Sequence, residues 1–164
     1  MAIREAPTRG HSAVVARLLL LGATSATGFA PLGLWPVTLT ALALLITQLD
    51  RQPGCWSVFR SAWLFTIAHF AVGLNWLPHA FSYQDELPAG VGWAATFLLS
   101  AYLGLYPATA LAVAHRFGAR LSLLHPFVLA ASWIVAEWMR GWVLTGFPWN
   151  QLGMIWLDVP PIAH

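Results

Sequence analysis

The residues best placed to do chemistry crowd into one stretch, Glu137-Trp138-Met139-Arg140-Gly141-Trp142, running on through Thr145-Gly146-Phe147-Pro148-Trp149-Asn150. Glu137 and Arg140 are three residues apart, which makes them neighbours on one face of a helix. They close a long apolar run, where a membrane helix would leave the bilayer. An ionisable residue at that depth is costly and is read first as a functional candidate. Trp138, Trp142 and Trp149 add rings that favour the membrane–water interface. Gly146 and Pro148 stop the helix and set a turn. Two readings of the charges compete. In one, the pair neutralises itself, with Arg140 snorkelling outward and Glu137 supporting it. In the other, Arg140 offers its planar fork to the phosphate oxygens of a lipid.

Other candidates are weaker. Asn75-Trp76 could hydrogen-bond a head group, or backbone freed by Pro78; the plainer reading is an interfacial Trp beside a helix-ending amide. Trp149 sits beyond the helix end in a Phe-Pro-Trp turn, which favours a functional role. The six His show no tight ligand spacing, so no metal is expected, and His69 reads as an interhelical hydrogen-bonder. Cys55 has no close His or Lys to activate it as a nucleophile. There is no Gly-rich phosphate loop and no nucleophile elbow. No cofactor and no catalytic residue is expected in this chain.

The elements that must carry this stretch are membrane helices. Of the 164 residues, 59% are hydrophobic and only 9% charged, and mean hydropathy is +0.67. A soluble domain carries about 25% charged residues. The net charge of +2 gives no reason to expect nucleic acid. The single cysteine excludes an internal disulfide. Arg17, the Leu18–Leu21 run and the small residues after it mimic a signal peptide, but the spans that follow favour an uncleaved first helix.

The expected fold is an all-α polytopic membrane protein of about five spans. Residues 1–13 form a cytoplasmic tail. A transmembrane domain over residues 14–145 holds spans near 14–30, 34–49, 57–77, 91–114 and 126–144. Residues 146–164 form an outer turn and tail. The small residues from Gly22 to Gly28 should let the first span pack closely on a neighbour. The second span is short for a hydrocarbon core of ~30 Å, and Trp35 and local thinning would help it. Arg4, Arg9, Arg17, Arg51, Arg60, Arg116 and Arg120 fall on one side of this arrangement, seven of the eight Arg. The positive-inside rule makes that side cytoplasmic, with the C-terminus outside. Arg140 is the exception, near the outer face.

The long string from Glu137 through Arg140-Gly141-Trp142 to Thr145-Gly146-Phe147-Pro148-Trp149 resembles the signature of the bacterial apolipoprotein N-acyltransferases. Phe29-Ala30-Pro31-Leu32-Gly33-Leu34-Trp35-Pro36 is similar to that family's first periplasmic turn. Gly73-Leu74-Asn75-Trp76 resembles the end of its third helix, and Ala101-Tyr102-Leu103-Gly104-Leu105-Tyr106 its fourth. The resemblance implies a multi-pass protein of the bacterial inner membrane with its C-terminal turn in the periplasm. It implies transfer of an acyl chain from a phospholipid, typically phosphatidylethanolamine, to the α-amino group of a diacylated N-terminal cysteine of a lipoprotein. The reaction is ping-pong through a thioester. A Glu-Lys-Cys triad does the chemistry in a nitrilase-like domain inserted between helices six and seven of eight.

This chain would then be the N-terminal membrane part, inactive alone, whether a fragment or one half of a split enzyme with a separately encoded nitrilase-like partner. Asn75, Trp76, Glu137, Arg140, Phe147 and Trp149 are the residues the resemblance makes lipid-facing or loop-bracing. A non-catalytic membrane scaffold or docking partner is the alternative. A transporter ranks last, because only Glu137, His69 and Arg140 come near a charged midplane path.

Overall fold

The computed structural model describes residues 8–83, 87–88, 90–118, 124–143, 146–157, 159 and 161. Arg4, Arg120 and Thr145, named in the sequence analysis, lie outside the described residues. Among those described, the chain is all helical: α1 Thr8–Ser25, α2 Trp35–Asp50, α3 Cys55–Gly73, α4 Leu77–Phe81, α5 Val91–Gly118 and α6 His125–Arg140, with 3-10 turns at Ala26–Gly28 and Leu152–Trp156. One helix, α5, is long and apolar enough to cross a membrane; Ser12–Gly28 and Trp35–Asp50 are shorter apolar helices.

Local sequence sets these ends. α2, α4 and α6 each begin with proline in the first turn, at Pro36, Pro78 and Pro126, where the missing N–H is not needed. This is why α4 exists. Pro78 starts a short helix after the turn at Leu74–Trp76, rather than merely ending the helix before it. α6 stops at Arg140, and the amide of Gly141 closes back on the Glu137 carbonyl at 3.0 Å.

The helix α3 is the hub, packed against α1 on one side and α5 on the other, with α6 on α5 and α2 on α1. Leu18, Leu45, Val58, Phe65, Leu111 and Leu129 are among the buried side chains that fill the junction. Gly22 lies directly on the backbone of Phe65, so any side chain there would collide with the Phe65 carbonyl. α5 carries Pro107 inside it. Six and three residues before that proline, Trp63 Nε1 donates to the Ala101 carbonyl at 2.9 Å and Thr66 Oγ1 to the Gly104 carbonyl at 3.3 Å, tying α3 to α5.

The interior holds Ser25, Thr38, Thr66, His69, Thr96, Ser100 and Arg140, all buried. The exterior displays Leu20, Leu98, Phe127 and Ile134, each 66% exposed or more. An apolar exterior of this extent, around a core that is mainly apolar but also holds these polar groups, suits a lipid surround. At one end of the bundle Asp50 accepts a 2.7 Å contact from His125, tying the end of α2 to the start of α6. At the opposite end α1, α3 and α6 finish, α2 and α5 start, and the Phe147–Trp149 turn folds back.

Candidate functional site

The site is built on the last turns of α3 and α6. Arg140 is the last residue of α6 and is 2% exposed. It does not snorkel outward, as the sequence allowed. Its guanidinium carbon lies 4.6 Å from the centre of the Phe70 ring on α3, a cation–π arrangement. Arg140 Nη2 comes within 3.9 Å of Glu137 Oε1, an ion pair without hydrogen-bond contact.

Glu137 is occupied elsewhere. Its Oε1 accepts from Trp133 Nε1 at 3.0 Å and from the Leu152 backbone N–H at 2.8 Å. The first bond is one helical turn away on the same helix. The second reaches fifteen residues on, and caps the start of the Leu152–Trp156 turn of helix. Glu137 therefore braces the segment that returns after the Gly146–Asn150 turn.

That segment is held at three further points. Pro148 sits in a tight turn in which the Trp149 N–H donates to the Phe147 carbonyl at 2.8 Å. Gly146 and Asn150 flank it at φ of 71° and 40°. The rings of Phe147 and Trp149 meet at 4.5 Å. Trp149 packs against the buried cluster of Phe70, Leu74 and Leu103. The side chain of Asn150 occupies the space that a Cβ at Gly73 would take. Beyond it, the rings of Trp156 and Trp35 meet at a tilt with centroids 5.0 Å apart, and Ile155 is buried beside Gly28.

Behind Phe70 lies a second polar group. Ser25 Oγ donates to the Gly22 carbonyl at 2.6 Å and meets His69 Nδ1 at 2.7 Å. A hydroxyl has one proton, so with that proton on Gly22 the imidazole N–H is the donor to Ser25. Thr38 Oγ1 donates to the Ser25 carbonyl at 2.7 Å, bringing α2 to the same point. The rings of Phe29 and Trp133 approach His69 edge-on.

Two apolar grooves run down from this end. One, about 520 Å³, lies between α2 and α6 and is lined by Leu42, Ile134, Glu137, Leu152 and Trp156. The other, about 720 Å³, lies between α5 and α6, lined by Tyr102, Tyr106, Ser132, Val135 and Met139. The hydroxyls of Tyr102 and Tyr106 are hydrogen-bonded at 2.8 Å.

Of the residues picked from sequence, Glu137, Arg140 and Trp149 come together around Phe70. Phe147 joins them through Trp149 and stays partly exposed. Asn75 and Trp76 are exposed at the same end, in the turn between α3 and α4. Sequence reasoning missed Phe70, Gly73, Trp133, Asn150 and the Leu152 amide. The four-residue step from Trp133 to Glu137 was a usable signal; the contact with Leu152 had none. Among the described residues no group of three or more His, Cys, Asp or Glu is placed to hold a metal.

The fold and site define a helical scaffold, apolar outside and with polar groups buried at one end, that pins a returning aromatic turn beside a buried arginine. The chain belongs to the apolipoprotein N-acyltransferase family: residues 21–164 match the model of the apolipoprotein N-acyltransferase N-terminal domain. It is 36% identical to the apolipoprotein N-acyltransferase of Haemophilus ducreyi over 143 residues, covering 85% of this chain and 27% of that protein. It is 35% identical to that of Vibrio vulnificus, over 85% of this chain and 28% of the relative. For the Shewanella oneidensis protein the figures are 38%, 82% and 26%. The chain thus spans about a quarter of the length of these relatives.

Proposed function

We propose that this chain is the membrane portion of a phospholipid-dependent apolipoprotein N-acyltransferase. It sits in the bacterial inner membrane as about five spans, with the α2–α3 and α5–α6 connections cytoplasmic and the Phe147–Trp149 turn in the periplasm. At 1.5 Å per residue, helices of 16 to 19 residues are about 24–28 Å long, close to a hydrocarbon core of ~30 Å. The apolar exterior and the location of Arg51, Arg60 and Arg116 at one end support the same reading.

The acyl donor is a phosphatidylethanolamine-like lipid and the acceptor the N-terminal cysteine of a diacylated lipoprotein. The observation that carries the proposal is the family match over residues 21–164, joined to a site that braces one turn at the end of the bundle. These 164 residues contain no lysine and a single cysteine, Cys55, at the opposite end. A Glu-Lys-Cys triad therefore has to be supplied from outside them, by a nitrilase-like domain seated above the turn. The role of Glu137, Arg140, Phe147, Trp149, Asn75 and Trp76 is to receive the lipid and shape the floor beneath that domain.

The test is N-acylation of a diacylated lipopeptide in phosphatidylethanolamine-containing micelles, with the chain alone and with a nitrilase-like half added. Transfer only in the mixture is expected. Transfer by the chain alone would contradict the assignment of the chemistry to another domain. No transfer in either would favour a non-catalytic scaffold.

A further inference from the structure

At the turn end of the bundle, buried donors have nothing to donate to. Neither terminal nitrogen of Arg140 has a hydrogen-bond partner among the described residues, and the same holds for Trp149 Nε1 and Asn150 Nδ2. Arg140 is 2% exposed, so water does not replace the missing partners. Glu137 does not satisfy it, because Glu137 Oε1 is committed to Trp133 and Leu152 and stays 3.9 Å away. The Phe70 ring meets the face of the guanidinium and leaves its N–H edge free. All three residues lie on the last turn of α3: Arg140 over Phe70, Trp149 against Phe70 and Leu74, Asn150 at Gly73. Buried polar groups are almost always hydrogen-bonded, and a buried guanidinium whose terminal N–H groups meet no acceptor is a costly exception.

The unpartnered atoms are all donors, and they carry one positive charge. Its complement is an anion rich in acceptor oxygens with no proton to give. A phosphodiester has that character, and a guanidinium fork matches two of its oxygens. The apolar groove between α2 and α6 has Glu137 in its wall, one turn from Arg140, so an acyl chain can lie below such a phosphate. We infer that Arg140, Trp149 and Asn150 form a binding site for the phosphate of a lipid head group, with Glu137 held out of it. This rests on the lipid-donor reading above and narrows it to the atoms that hold the donor.

The test is a binding titration of the 164-residue chain in detergent with dioctanoyl phosphatidylethanolamine, dioctanoyl phosphatidylglycerol, dioctanoylglycerol and inorganic phosphate, read by tryptophan fluorescence. Both phospholipids are expected to bind at least about tenfold more tightly than dioctanoylglycerol. Arg140→Gln should abolish that difference, and Asn150→Ala should narrow it, with helicity by circular dichroism unchanged for at least the second. Equal affinity for dioctanoylglycerol and the phospholipids would overturn the phosphate site and leave the lipid reading standing. No binding of any lipid would overturn both. Inorganic phosphate binding as tightly as the phospholipids would overturn the lipid source.

Discussion

At the residue scale, one carboxylate does the structural work at the site. Glu137 uses one oxygen to orient Trp133 and to stop the orphan N–H of Leu152. Glu137→Ala removes both hydrogen bonds, and it should expose the 146–152 segment to limited proteolysis while the helices persist. Glu137→Gln keeps a carbonyl acceptor and should be cut at an intermediate rate; equal rates for both would show that the carboxylate is not the brace. Ser25 is a second such residue. Ser25→Ala leaves His69 Nδ1 buried without its partner and should cost about 1–2 kcal/mol in a denaturation titration. How much of this was legible depends on distance along the chain. The Glu137–Arg140 spacing announced a pair, and His69 read as an interhelical hydrogen-bonder, which its contact with Ser25 shows. The sequence could not reveal that Glu137 would spend its lone pairs on Trp133 and Leu152. That choice is made by the return of a distant segment, and it leaves the inward-turned Arg140 in a long ion pair with Glu137, its terminal nitrogens without a hydrogen bond.

At the element scale, the returning turn is held by close approach. Gly73→Val would drive a side chain into Asn150 and should lift the turn off α3 at a cost of about 1–3 kcal/mol. In a full-length relative, the matching change should lower acyl transfer with membrane insertion intact. Trp149→Ala should do the same, by about ten- to a hundredfold, since small displacements of a positioned surface have effects of that order. Unchanged transfer would return Trp149 to the interfacial belt. The long apolar runs made the helical class readable, because their length and lack of charge leave few alternatives. The short α4 and the Leu152–Trp156 turn of helix were not readable. Each is five residues long, too brief for a periodic pattern, and the second is stabilised by contacts with α2 and Glu137 rather than by its own sequence.

At the scale of the whole molecule, the chain is a helical membrane platform with a buried polar cluster near one end. The Arg distribution sets its expected orientation. A reporter that works only in the cytoplasm should be inactive when fused after His164; activity there would contradict the five-span arrangement. On the function proposed above, its part is to seat a lipid and a turn beneath a domain that supplies the reacting residues. That claim is tested most directly by replacing the matching N-terminal quarter of the Shewanella oneidensis relative with residues 1–164 and measuring N-acylation of a diacylated lipopeptide. The account predicts transfer within about tenfold of the unmodified relative, a barrier change near 1.4 kcal/mol. A chimera that inserts in the membrane with full helicity and transfers no acyl chain would contradict it.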